Sequence, residues 1–236
     1  MKTNLDLILV MPVYNEEKII KKVIETWLKT LNNIKFKIIL INDGSSDDTK
    51  KIINSIRSNK ILLLNKKNSG HGPTIVHGYK SALRFKPNFI FQVDSDNQFF
   101  ASDFKNFWKI RETYDFTLGY RLKRYDEPHR LILTKFLKFI ILVIFGQNIK
   151  DINVPYRLFK YQCLFGCMRN IHNDSIIPNI LISLLCSKKF KCHTSIVKHK
   201  KRQTGLVWIT NFKLLKFCLN AFIELTIFRM FKFSKF

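Results

Sequence analysis

Hydrophobic positions in the first hundred residues alternate between two periods. Residues 7–11 form an unbroken apolar run, and beyond Glu16 the positions Ile20, Val23, Ile24, Trp27 and Leu28 recur at helical spacing. Residues 36–41 repeat the strand signal. Residues 47–56 repeat the helical one, with Ile52, Ile53 and Ile56 on one side. Further strands are predicted at 61–64 and 89–93, with a helix over 74–85 between them. Near-continuous apolar strands alternating with amphipathic helices predict an α/β fold: a mostly parallel central sheet with helices on both faces. Such sheets bind ligands beyond the carboxyl ends of their strands, so the residues after each strand carry the functional signal.

Those four segments are polar. They read Pro12-Val13-Tyr14-Asn15-Glu16-Glu17, Asn42-Asp43-Gly44-Ser45-Ser46-Asp47, Asn68-Ser69-Gly70-His71-Gly72-Pro73 and Asp94-Ser95-Asp96-Asn97-Gln98. Asp94 and Asp96, one residue apart at the end of a buried strand, can converge on a hard divalent cation. Mg²⁺ or Mn²⁺ favours such oxygens, and Gln98 could add a carbonyl oxygen. Gly44 permits a tight turn, after which the Asp43 carboxylate could accept hydrogen bonds from a nucleobase or ribose while Ser46 or Asp47 caps the next helix. Gly70 and Gly72 would let backbone approach a ligand, with His71 either touching it or serving as a plain loop residue. No GxGxxG or GxxxxGK[ST] occurs, which removes support for the usual dinucleotide and nucleoside-triphosphatase classes.

Charge changes the picture of the second half. The 236 residues carry a formal net charge of +24, of which +17 falls in residues 121–236. That asymmetry predicts an anionic partner there: nucleic acid, an acidic membrane surface or a phosphate-bearing substrate. The five cysteines include no CxxC, which argues against a disulfide scaffold or zinc ribbon and suits a reducing compartment; Cys163 and Cys167 share a helix face as small buried hydrophobes. The apolar N-terminal run is broken by Asp6 and followed by no small-residue cleavage site, so it reads as a strand, not a signal peptide. Crossing a membrane takes about 20 predominantly apolar residues, and no such run is present. In residues 211–228, however, Lys213, Lys216, Asn220 and Glu224 make a narrow polar stripe beside a wide Phe/Leu face, and residues 131–145 read similarly. Such helices can lie in a bilayer interface, where Lys188, Lys189, Lys191, Lys198, Lys200, Lys201 and Arg202 would meet anionic headgroups.

Taken in order, Pro12-x-Tyr14-x-Glu16, Asp43-Gly44-Ser45, Asn68-x-Gly70 with Gly78, and Asp94-x-Asp96-x-Gln98 resemble glycosyltransferase family 2, whose members have the GT-A fold and use nucleotide-activated sugars. The resemblance implies that Pro12, Tyr14, Glu16, Asp43 and Asp94 cradle the nucleotide sugar, and that Asp94, Asp96 and Gln98 hold Mg²⁺ or Mn²⁺ on its diphosphate. Gly119-Tyr120-Arg121, Arg130 with Thr134, the 151–157 segment and Arg202-x-x-Gly205 resemble the polyprenyl-phosphate branch that includes dolichol-phosphate mannose synthase. In that branch the matching residues, here Arg121, Arg130, Thr134 and Arg202, contact the acceptor phosphate. Asn42 stands where the family usually has an acid, no Pro follows Gln98 at the customary distance, and Asn153-Val154-Pro155 replaces Thr-Ser-Gly.

The resulting expectation is a metal-dependent, inverting sugar transfer from a nucleotide diphosphate to a polyprenyl phosphate at the cytoplasmic face of a membrane, by a peripheral or monotopic protein. The catalytic part is expected over 1–205 and an amphipathic helical segment over 206–236. A membrane-protein partner is a further expectation, because members of the branch often carry extra membrane helices after the catalytic part. Were the acceptor a saccharide hydroxyl instead, a base would be needed, and Asp151 is the candidate. Nucleic acid is not an expected partner, since no recognition motif accompanies the positive charge.

Overall fold

The chain's structure, a computed structural model, describes residues 5–123, 128–201 and 211–236, and the side chains within them except at 128–133 and 211–215. The four apolar runs become strands β1 (Leu7–Val13), β2 (Phe36–Asn42), β3 (Ile61–Asn65) and β4 (Phe89–Val93). Between them lie helices α1 (Ile20–Thr30), α2 (Thr49–Ser55) and α3 (His71–Arg84). The second half adds strands β5 (Phe116–Arg121), β6 (Tyr156–Lys160) and β7 (Cys192–Val197). With them come α4 (Phe104–Lys109), α5 (Pro128–Phe145), α6 (Tyr161–Met168), α7 (Pro178–Lys189) and α8 (Asn211–Phe228).

The strands form one sheet in the order β3-β2-β1-β4-β6-β5-β7. β1 pairs in parallel with β2 and β4, and β2 with β3; β6 runs antiparallel to both β4 and β5, and β7 lies parallel to β5. Six strands therefore end at one edge of the sheet, and β6 begins there. Every residue of β1 is buried, as expected of a strand covered on both faces. One face packs Trp27 of α1 against Phe91, Phe104 and Tyr156. The other takes α3, α6 and α7, with Tyr79 edge-on to Phe159. Each side chain so buried contributes roughly 1.5–3 kcal/mol of transfer free energy.

Two helices start elsewhere than the pattern suggests. α2 begins at Thr49, because the Asp47 carboxylate accepts the Thr49 N–H at 3.0 Å and prolongs the turn. α3 begins at His71, since Pro73 is tolerated in a first helical turn where no N–H is required. This overturns the reading of Gly72 as a point of ligand approach. A Cβ there would collide with the backbone of Ser175 and Ile176, so the close approach is internal to the chain.

Cys163, Cys167 and Cys186 meet in the seam between α6 and α7, with Cys186 Sγ 3.5 Å from Cys163 Sγ and 3.6 Å from Cys167 Sγ. Among the described residues no fourth His, Cys, Asp or Glu joins them, so they lack the tetrahedral ligand set of a structural zinc site and pack as small apolar groups. The C-terminal end of α5 docks on the turn after α8. Phe145 meets Phe233 edge-on, and Arg229 Nε donates to the Ile144 carbonyl at 3.0 Å. From α8, Ala221, Leu225 and Phe228 face inward, and Glu224 accepts the Ile176 N–H at 3.1 Å. Outward stand Phe136, Phe139, Leu142 and Val143 on α5 and Leu219, Phe222, Ile223 and Ile227 on α8. No described helix is long and apolar enough to cross a membrane.

Candidate active site

The edge where the six strands end gathers most of the polar segments picked out in the sequence. Pro12 lies beyond the β1–β4 ladder, which stops at Val10 opposite Gln92, so its missing N–H removes no hydrogen bond on that side. Asn15, at φ 52°, bends the chain into the turn after β2: its N–H donates to Ser45 Oγ at 3.0 Å, and its Oδ1 accepts the Ser46 N–H at 2.9 Å. Glu16 is buried with its N–H on Thr49 Oγ1 at 2.8 Å, while Tyr14 is part-exposed beside it. Asn42, the departure from the family's acid, accepts both the N–H and the hydroxyl of Ser45, at 3.0 and 2.6 Å. It thereby closes the turn through Gly44, whose φ of 70° a side chain would resist.

Asp43 is almost fully buried. Its Oδ1 accepts Lys66 Nζ at 2.5 Å and the Ser69 N–H at 3.0 Å, and its Oδ2 accepts the Gly70 N–H at 3.0 Å. The carboxylate thus fixes the shape of the 66–70 segment, and Lys66 is a charge partner that sequence spacing gave no means of assigning. Each oxygen has two acceptor sites, and with Oδ1 filled by Lys66 and Ser69 it is Oδ2 that can still take a ligand N–H.

Asp94 and Asp96 stand half-exposed past the end of β4. Asp94 Oδ1 takes Gln92 Nε2 at 3.0 Å and lies 3.2 Å from His71 Nε2. The His71 pKa is raised: partial desolvation works against its charge, although 57% of the side chain stays exposed, and the carboxylate of Asp94, with Asp96 and Asp43 farther off, outweighs that. Asp96 Oδ1 accepts the Gln98 N–H at 3.1 Å. Gln98 in turn donates its side-chain N–H to the Lys200 carbonyl at 3.2 Å, and Lys200 Nζ reaches Asn97 Oδ1 at 3.1 Å. Among the described residues no third acid or histidine closes a protein cage around the two aspartates. Mg²⁺ and Mn²⁺ sites of this kind use one or two carboxylates and leave the remaining positions to water and phosphate, so the donor set fits such an ion.

Charge reverses across the edge. Arg121, at the end of β5, grips Asp151 bidentately: Nε to Oδ2 at 2.8 Å and Nη2 to Oδ1 at 2.9 Å, with both side chains buried. Behind them Arg157 is fully buried and donates to the carbonyls of Val154, Asn179 and Ile152 and to Ser183 Oγ, at 2.5–2.9 Å. Burial brings its pKa down to about 10, still high enough to keep the charge at neutral pH. Thr134 lies on α5; the side chain of Arg130 and all of Arg202 fall outside the described residues, as does the expected domain boundary at 205. Reasoning from sequence missed Arg157's role and also Gln92, although a lone amide within Phe-Ile-Phe-Gln-Val was a signal.

A mostly parallel sheet with paired acids at its strand ends is the arrangement expected of the GT-A class of nucleotide-sugar transferases. The crystal structure of glucosyl-3-phosphoglycerate synthase from Mycobacterium tuberculosis, solved with Mn²⁺, UDP and phosphoglyceric acid, matches this fold. Its TM-score is 0.68 at 13% identity, over 97% of this chain and 79% of that one. The family model for glycosyl transferase family 2 matches residues 8–174, and the chain belongs to that family. It is a glycosyltransferase. An uncharacterised protein of Methanocaldococcus jannaschii is 30% identical over 89% of this chain and 95% of its own length. The UDP-N-acetylglucosamine–dolichyl-phosphate N-acetylglucosaminyltransferase of Methanococcus voltae is 28% identical over 66% of this chain and 70% of its own.

Proposed function

We propose that this glycosyltransferase moves a sugar from a nucleotide diphosphate onto a polyprenyl phosphate at a membrane surface. The observation that carries the reading is the division of the strand-end edge. Acids suited to a cation lie after β4, while Arg121 at the end of β5 holds Asp151 in a bidentate pair. The M. voltae relative's activity on dolichyl phosphate supports the same acceptor class.

Pro12, Tyr14, Glu16 and Asp43 would line the nucleotide. Asp94 and Asp96, with Gln98, would hold Mg²⁺ or Mn²⁺, whose charge would stabilise the departing diphosphate. The bond from the anomeric carbon to the diphosphate oxygen breaks as an acceptor phosphate oxygen bonds from the opposite side, inverting the centre. A phosphate monoester has its second pKa near about 6, so the nucleophile is already ionised at neutral pH and no strong base is required. That removes the need for Asp151 as a base and suits its burial against Arg121, which it aims. Arg121, Arg130, Thr134 and Arg202 would orient the acceptor phosphate by charge-assisted hydrogen bonds. The outward apolar faces of α5 and α8, flanked by lysines, would rest in the bilayer interface and present the lipid phosphate to the site.

The test is transfer of radiolabelled sugar from a panel of nucleotide sugars into the organic phase with polyprenyl phosphate, with Mn²⁺ or EDTA. Metal-dependent label in the lipid phase is the expected result. Labelling of a saccharide hydroxyl instead, with none in lipid, would overturn the acceptor assignment and return Asp151 to the role of base.

A further inference from the structure

A glutamine in the middle of a buried strand is costly unless every polar atom is used, because each unsatisfied group costs about 1–3 kcal/mol. Gln92 is fully buried in β4, between two phenylalanines, an isoleucine and a valine. It points to the face covered by α3 and α7, and its amide is engaged at both ends. The nitrogen donates to Asp94 Oδ1 at 3.0 Å. The oxygen receives Asn179 Nδ2 at 3.4 Å, and the single proton of the Tyr79 hydroxyl is shared between it, at 3.5 Å, and Asn179 Oδ1. A carboxylate can only accept, so the orientation of the amide is forced by chemistry. Asn179 is in turn held by Arg157, which donates to its carbonyl at 2.7 Å, and its Oδ1 lies 3.3 Å from the Tyr79 hydroxyl.

We infer that Gln92 is a positioning residue for the metal-binding carboxylate: Asn179 of α7 and Tyr79 of α3 clamp the Gln92 amide, and the amide pins Asp94. Among the described residues both side-chain partners of Asp94, Gln92 and His71, meet Oδ1, which leaves Oδ2 as the oxygen for a cation. The amide is neutral, so it fixes the carboxylate without cancelling the charge the ion needs. A Lys at this position would pin Asp94 equally well and compete with the metal. The inference rests on the assignment of Asp94 as a metal ligand made above. Outer-shell partners of this sort are worth about 10–100-fold in metal affinity.

The experiment is Mn²⁺ titration by electron paramagnetic resonance in the presence of UDP or GDP, alongside nucleotide binding in EDTA. It compares the full chain with Asp94→Asn, Gln92→Met and Tyr79→Phe. Gln92→Met keeps volume and apolar packing while removing both ends of the amide. The expected result is near-complete loss of Mn²⁺ binding in Asp94→Asn and about 10–100-fold weaker Mn²⁺ binding in Gln92→Met. Metal-free nucleotide affinity should stay unchanged in Gln92→Met, which general damage to the fold would not allow. Unchanged Mn²⁺ affinity in Gln92→Met would overturn the positioning role while leaving Asp94 in place. Failure of the parent to bind Mn²⁺, or indifference to Asp94→Asn, would overturn the metal assignment and this inference with it. If Gln92→Met does not fold, Tyr79→Phe, which removes one hydroxyl, decides: a weaker effect in the same direction upholds the clamp, and none sinks it.

Discussion

The two halves of the strand-end edge hold their charges by opposite means. After β4 the carboxylates of Asp94 and Asp96 receive the neutral amide of Gln92 and the backbone N–H of Gln98, with His71 at the rim of Asp94, whereas Asp43 after β2 is already paired with Lys66. Beyond β5 an arginine and an aspartate hold each other, and Arg157 is caged by carbonyls. Neutral donors fix an acid in place and leave its charge available to a cation. A buried ion pair fixes geometry and spends much of its charge internally. The acidic side therefore suits binding by charge, and the basic side presents a shaped guanidinium whose further positive potential must come from its surroundings.

Removing one charge should consequently break the acidic side outright. Asp96→Asn is expected to lower turnover about 1,000-fold, the upper range for losing one stabiliser of developing negative charge, with an unaltered circular dichroism spectrum. Full activity at saturating Mn²⁺ would show that the halves do not differ in this way.

Arg157→Met is the next largest expected effect, and it falls on stability. It removes the guanidinium from the carbonyls of Ile152, Val154 and Asn179 in a dry interior, leaving the one Ser183 hydroxyl to serve Asn179 and Ile152, at about 3 kcal/mol in a denaturant melt. The loss should be global, because those carbonyls tie the 151–155 segment to α7. A change under about 1 kcal/mol would mean that water reaches them.

Asp151→Asn then separates aiming from proton abstraction. If Asp151 aims Arg121, the variant should raise the acceptor KM about 10-fold with kcat nearly kept, since an amide retains one acceptor for the guanidinium. A base would instead show as a collapse of kcat at saturating acceptor.

This asymmetry also governs what was legible in the sequence. β1 to β4 are buried on both faces, so their apolar runs stand out, and the acids that follow them are local in sequence as well as in space. β6 and β7 carry no such mark. Residues 192–197 alternate Cys-His-Thr-Ser-Ile-Val with mixed polarity because that strand closes the edge of the sheet, and its partner β5 lies over 70 residues earlier. The Arg121–Asp151 pair is likewise invisible, because its members lie 30 residues apart with α5 between them. Lys66 with Asp43, and Gln92 with Asn179, join elements 23 and 87 residues apart. Composition can suggest such partners only by the oddity of a polar residue in an apolar run, as at Gln92. The start of α3 was misjudged because Gly70-His71-Gly72-Pro73 has loop chemistry, while the pressure of Ser175 and Ile176 on Gly72 acts from a distant segment.

The smallest expected effect tests what lies outside the edge altogether. Phe139 on α5 and Phe231 after α8 are 61% and 57% exposed, so neither supports the fold appreciably. In the proposed arrangement they insert into the bilayer interface, where a phenylalanine buries apolar area worth roughly 1.5–3 kcal/mol at most. Phe139→Ser and Phe231→Ser should each lower sedimentation with anionic liposomes by about 3- to 10-fold, given partial insertion, and leave nucleotide binding unchanged. Raising the salt should weaken what remains, because lysines then carry a larger share of the attraction. The pair sharpens the comparison between the halves, since α5 follows β5 in the chain. Should transfer to a water-soluble, short-chain polyprenyl phosphate survive both substitutions while transfer to a long-chain one falls, the apolar faces deliver the acceptor to the basic half and take no part in its chemistry. Equal loss on both acceptors would place these phenylalanines in the structure of the site itself.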